Sequence, residues 1–215
     1  MSEQEPMAGQ GIAEWLELLA SDAATPGGGA YAALSAAAGA ALIGMTARLT
    51  VRKKDFADVA ERMQQLIAEA DDARGVLLHL ADRDADAFDR VMAAYRMPRD
   101  TDDERASRLH ELQAALEGAA EVPLDVARRS VYLMGLAEEA TTSGNPNAAS
   151  DGMCAAAALH AATIAALANV QINAFAFVDE TRRGELVDDV GRLRGRADGL
   201  LQQVEEAFRH RLEGQ

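Results

Sequence analysis

Apolar residues recur along this chain at three- and four-residue intervals, and no stretch shows the alternation of a half-buried strand. Trp15, Leu16, Leu18 and Leu19, between Gly11 and Pro26, predict a short amphipathic lead helix. From Ala30 to Thr50 small residues dominate, and Ala36, Ala40 and Gly44 form a smooth face that another helix can approach closely. That helix is expected to be central. Apolar positions from Phe56 and Val59 through Leu66, Leu77 and Ala81 to Val91 and Tyr95 predict one long helix between Asp55 and Pro98, with Gly75 as its weak point. Thr101-Asp102-Asp103-Glu104 is a capping-box pattern opening a further helix, which Pro123 should end, kink or restart before a new one runs to about Ala140. After a turn through Ser143 to Asn147, an Ala-rich helix carries Ile164, Ala168, Ile172 and Phe175 on one stripe. A last helix is expected from Arg183 to Leu212, against the low propensity of its four glycines.

These elements predict one all-α domain over residues 1–215, an antiparallel bundle of long helices, with residues 1–10 flexible. Composition agrees, since 49% of the chain is hydrophobic but only 4% aromatic, so the apolar mass is Ala, Leu, Val and Met. A formal net charge of -14 repels phosphodiester backbones and anionic lipids, which argues against nucleic-acid or membrane partners. Gly27 to Met45 is uncharged, but its Ala and Gly contribute little transfer energy, so it reads as a close-packed interior helix and not a membrane span. The single cysteine, Cys154, and the polar start of the chain fit a cytoplasmic protein.

Five features interrupt this apolar plan. Asp84 shares a face with Leu77, Ala81 and Phe88, where burial would raise its pKa and a nearby cation would lower it; it can equally serve as a structural hydrogen-bond partner. Gly27, Gly28 and Gly29 precede a helix, where bare N–H groups can meet an anion, although a tight turn explains three glycines as well. Gly144 to Asp151 gathers Asn145, Asn147, Ser150 and Asp151 at a helix start; Asn147 or Ser150 could cap it and Asp151 could answer its dipole. Arg48, Arg52, Lys53 and Lys54 suit either a helix C-terminus or an anionic ligand. Asn169 and Asn173, one turn apart on an apolar helix, need partners. Asp151 and Asn169 are separated by roughly 27 Å along a straight helix, so one small group cannot touch both. The four histidines show no metal-ligand spacing, and Cys154 has no adjacent His to activate it.

Taken in order, these segments carry a resemblance. Thr25-Pro26-Gly27-Gly28-Gly29, Thr50 with Lys53, Lys54 and Phe56, and Asp84 with Ala87-Phe88 and Met97-Pro98-Arg99 match the formimidoyltetrahydrofolate cyclodeaminase and methenyltetrahydrofolate cyclohydrolase family. Val122-Pro123-Leu124, Gly144-Asn145 with Ser150-Asp151, and Asn169-Val170-Gln171-Ile172-Asn173 complete the match, which spans almost the whole chain. Ala30 departs from the Ser that often follows the glycines, and Arg52 from the Gly common before the basic pair.

The resemblance implies a dimer, or a higher homo-oligomer, acting on one-carbon units of tetrahydrofolate as substrate, with no cofactor and no metal. The implied reaction is hydrolysis of 5,10-methenyltetrahydrofolate to 10-formyltetrahydrofolate; cyclisation of 5-formiminotetrahydrofolate with loss of ammonia and non-catalytic folate binding are the alternatives. A chain of this length leaves no room for the formiminotransferase domain of bifunctional relatives, which favours the cyclohydrolase. Asp84 or Asp151 is assigned the proton transfer. Gly27, Gly28, Gly29, Asn145, Ser150 and Asn169 are assigned to binding the folate, and Lys53 or Lys54 to its glutamate carboxylate. Because Asp151 and Asn169 lie so far apart, the site is expected to span the folate's length or to use a second subunit.

Overall fold

The computed structural model describes Gly9 and residues 11–213, so the segment expected to be flexible lies almost wholly outside the described residues. Among these residues six α-helices follow one another: α1 (Ile12–Leu19), α2 (Gly28–Val51), α3 (Ala60–Tyr95), α4 (Asp102–Ser143), α5 (Ala149–Ala174) and α6 (Glu180–Glu213). Short 3-10 turns at Lys54–Phe56 and Pro146–Ala148 lead into α3 and α5, and no strand occurs among the described residues.

The centre of the bundle is α2, packed against α3, α4 and α5. Small residues bring it there. Ala36 and Ala40 are fully buried, and a Cβ added to Gly39 would come within 2.6 Å of Leu159 Cγ on α5. That approach also lets Ser35 Oγ donate to the Ala158 carbonyl at 3.2 Å. By contrast, α1 is held to the bundle chiefly through Trp15, only 5% exposed, while Ile12 and Leu16 face solvent.

α4 begins as expected. The Thr101 side chain accepts from the Glu104 N–H, and the Glu104 carboxylate accepts in return from the Thr101 N–H at 2.9 Å. Pro123, however, neither ends nor restarts the helix: α4 runs unbroken to Ser143, with Pro123 buried inside it. The ring removes one hydrogen bond, and tertiary contacts on both sides outweigh that loss.

The Ile164, Ala168, Ile172, Phe175 stripe of α5 lies away from the core; Ile172 is 71% and Phe175 82% exposed. Tyr31, Ala38 and Met45 likewise open the outer face of α2 to solvent. By length and composition α2 and the Pro146–Ala174 stretch could each cross a membrane, but much of both is buried within the bundle.

The glycines provide a paired test. Gly39→Ala should destabilise the fold by about 1–2 kcal/mol, the clash with Leu159 exceeding the gain in helix propensity. Gly75→Ala, where an added Cβ meets nothing within 4 Å, should stabilise it by roughly 1 kcal/mol. Urea denaturation of the two variants beside the parent chain reads both.

Candidate active site

The α2 N-terminus leaves backbone N–H groups without intrahelical partners, and α3 supplies one. The Asp84 carboxylate accepts from the Ala30 N–H in the first turn of α2. Gly29 makes this possible. Its φ is not positive, so conformational freedom is not the reason for glycine; a Cβ there would stand within 2.5 Å of Asp84 Oδ2. Gly28 is also tight, an added Cβ meeting Asn169 Nδ2 at 3.2 Å, whereas Gly27 would find only ordinary contact at 3.7 Å.

Two effects compete at Asp84. Burial among Ala87, Phe88 and the α2 backbone favours the neutral acid, and the Ala30 hydrogen bond favours the carboxylate. Burial wins, holding the pKa above the ordinary carboxylate value. The group therefore holds a proton more readily than an exposed aspartate while keeping a fixed direction.

Asp84 opens into a cleft of about 390 Å3 between the α2 N-terminus, the C-terminal third of α3, the first half of α4 and the C-terminal half of α5. Phe88, Val91, Tyr95 and Leu116 give it an apolar lining, and Asn169 and Asn173 contribute amides. Polar groups that can orient a ligand thus accompany surface on which a planar ring can lie.

The second polar group forms elsewhere. Asn145 is buried beside the C-terminus of α2, where its N–H donates to Thr50 Oγ1 at 2.8 Å and its Oδ1 accepts from Lys53 Nζ at 3.2 Å. Its Oδ1 also accepts from the Asn147 N–H at 3.1 Å, so Asn145 caps the turn, whereas neither Asn147 nor Ser150 caps α5. Arg211 of α6 closes this corner by donating to the carbonyls of Thr141 and Gly144 at 3.1 and 3.2 Å. Ser150 and Lys54 are exposed and Asp151 half-buried. Arg48 pairs with Asp71 across to α3.

The expected working surface therefore divides. Gly27 to Gly29, Asp84 and Asn169 come together at one end of α2; Lys53, Lys54, Asn145, Ser150 and Asp151 gather at the other, about 36 Å away along 24 residues. One chain does not unite them. Asn173 lines the cleft beside Asn169, although its sequence pattern had marked it only as an amide needing partners. Leu116 also lines it, as does Tyr95, which was read only as helix periodicity; no local signal distinguishes a core position from a cleft wall. His160 pairs with Asp198 at 2.7 Å, away from both groups, and no three His, Cys, Asp or Glu side chains cluster to hold a metal among the described residues.

Asp84→Asn and the glycines test this geometry. Because the folded pKa of Asp84 is raised, its contribution to stability is fully present below the unfolded value of about 3.9 and is lost as pH rises through the folded value. The stability of Asp84→Asn relative to the parent should therefore improve from acid to neutral pH, as read by denaturant unfolding across pH. Gly29→Ala should cost about 1–3 kcal/mol by displacing Asp84, and Gly27→Ala should lie within about 1 kcal/mol of the parent. Equal losses at the two glycines would contradict the close approach.

A family model described as formiminotransferase-cyclodeaminase matches residues 11–192. The chain is 36% identical over 207 residues to a methenyltetrahydrofolate cyclohydrolase of Methylorubrum extorquens, covering 96% of this chain and 100% of that one. It is 35% identical over 183 residues to the formimidoyltransferase-cyclodeaminase of Rattus norvegicus, covering 84% of this chain but 32% of the rat protein. The crystal structure of formiminotetrahydrofolate cyclodeaminase from Thermotoga maritima superposes with a TM-score of 0.86 at 32% identity, over 94% of this chain and 98% of that one.

Proposed function

The chain belongs to the formiminotransferase-cyclodeaminase family, and on that premise we propose that it hydrolyses 5,10-methenyltetrahydrofolate to 10-formyltetrahydrofolate with Asp84 as the proton-transfer group. The observation that carries this reading is the half-buried carboxyl of Asp84, held against the α2 N-terminus with a raised pKa at the head of a cleft sized for a fused ring.

The chemistry asks for one group that takes a proton and returns it. As water attacks the cationic methenyl carbon, a C–O bond forms and the Asp84 carboxylate removes the water's proton. The resulting tetrahedral carbon bridges N5 and N10. When its bond to N5 breaks, the protonated Asp84 supplies the departing nitrogen, while the remaining hydroxyl proton leaves to water and the formyl group stays on N10. A carboxyl with a raised pKa suits both halves of this exchange better than an ordinary aspartate. No step needs a metal or a cofactor.

The runner-up is the cyclodeaminase reaction, favoured by the fold shared with the Thermotoga protein. There a folate nitrogen closes on the formimino carbon, and Asp84 as the neutral acid protonates the leaving ammonia. Both the Methylorubrum cyclohydrolase and the Thermotoga cyclodeaminase are matched along nearly their whole length, and the higher identity to the cyclohydrolase, 36% against 32%, favours hydrolysis.

The second polar group enters this proposal through a homodimer. The outer faces of α2 and α5 are exposed, adjacent and apolar, and small residues such as Ala38, Ala157, Ala161 and Ala168 permit close helix contact. They span about 36 Å by about 20 Å, or roughly 700 Å2 per copy, near the roughly 800 Å2 per partner of a stable interface. Two copies related by a two-fold axis with antiparallel α2 helices bring the Lys53 and Asn145 end of one toward the Asp84 end of the other. The lysines then meet the glutamate carboxylates of the folate tail. The acidic surface and single cysteine suit a cytoplasmic enzyme.

Methenyl- and formiminotetrahydrofolate offered in parallel separate the readings. Buffer-corrected loss of methenyl absorbance without ammonia is expected, falling about 100- to 10,000-fold in Asp84→Asn. Ammonia release identifies the cyclodeaminase, and unchanged turnover in folded Asp84→Asn removes Asp84 from the chemistry. Sedimentation should show a dimer.

A further inference from the structure

Pro123 has no N–H, so the carbonyl four residues earlier in α4, that of Ala119, has no partner within its own helix. Asn173 of α5 fills the gap, its Nδ2 donating to Ala119 O at 2.9 Å. A carbonyl can only accept, so this contact dictates which end of the amide faces α4 and turns Oδ1 the other way. That oxygen is not among the buried atoms left without a partner, and Asn173 and Ala119 both line the cleft. One turn earlier, Asn169 Nδ2 donates to its own helix at Ala165 O, also at 2.9 Å, and its amide is oriented by the same logic. Along this wall the order is Asp84 beside Gly29, Asn169 beside Gly28, then Asn173 about 6 Å further along α5.

We propose that Asn173 is a substrate-specificity residue, its Oδ1 accepting from the exocyclic amino group of the pterin ring, and that Pro123 is the positioning residue that sets its direction by freeing the Ala119 carbonyl. The inference rests on the folate reading above. With the reacting carbon at Asp84, the two fused six-membered rings extend along the wall past Asn169, and their far edge reaches Asn173, one helical turn beyond it. A proline inside a 42-residue helix then has a function: an alanine there would close the helical hydrogen bond on Ala119 and leave the amide free to turn.

A purely structural role makes a different prediction, since Asn173 would then only repair the gap that Pro123 creates. Pro123→Ala restores the backbone donor and makes the repair unnecessary. Calorimetric titration with tetrahydrofolate, together with thermal unfolding, is applied to the parent, Pro123→Ala, Asn173→Ala and the double variant. Asn173→Ala alone should lower Tm, whereas in the Pro123→Ala background it should not. The dissociation constant should nevertheless rise about tenfold in the double variant and severalfold in Pro123→Ala, whose fold is intact. An analogue lacking the 2-amino group should bind the parent and the double variant equally.

Wild-type affinity in the double variant overturns the role of Asn173, and wild-type affinity in Pro123→Ala overturns that of Pro123. An analogue that still distinguishes parent from double variant overturns the assignment to the amino edge. Failure of the unaltered protein to bind tetrahydrofolate overturns the folate reading, and this inference with it.

Discussion

The site depends on one hydrogen bond between helices, from the Ala30 N–H of α2 to the Asp84 carboxylate of α3. Helix N-termini attract anions, and a desolvated carboxylate needs a donor, so each element satisfies the other. The contact exists because residue 29 has no Cβ. Burial still outweighs the donor, and the outcome is a carboxyl both oriented and reluctant to ionise. An exposed aspartate is oriented only loosely, and a fully paired one ionises too readily to return a proton at neutral pH.

The rest of the bundle serves that contact by bringing α2 close to its neighbours. Alanine and glycine along α2 and α5 allow side-by-side packing, and the same composition continues onto outer faces that the single chain leaves exposed. The two polar groups occupy opposite ends of α2, and in the proposed homodimer a second copy, not a change of conformation, joins them. The cleft wall shows the same economy. Asn173 satisfies a carbonyl orphaned by Pro123 and gains a fixed orientation in doing so.

Helix identity was legible in the sequence because apolar spacing, the Thr101 capping box and the turns at Pro26 and Gly144 all act locally. Asp84 could be singled out as a carboxylate on an apolar face, but the sign of its pKa shift could not, since that depends on how burial balances against an N–H 54 residues away in sequence. Pro123 misled for the same reason. Its local effect is to break a helix, and the tertiary packing that carries α4 through it has no local signature. Small residues likewise announced close approach without naming the partner, so Gly39 against Leu159 and Gly29 against Asp84 emerged only in three dimensions.

The most direct test is titration of the Asp84 carboxyl carbon by NMR in protein labelled with 13C at aspartate, assigned by comparison with Asp84→Asn. A midpoint displaced upward from the ordinary aspartate range is the predicted result. A midpoint at or below that range would mean that the helix N-terminus dominates burial, leaving a permanent anion where the proposed chemistry needs a group that takes and returns a proton.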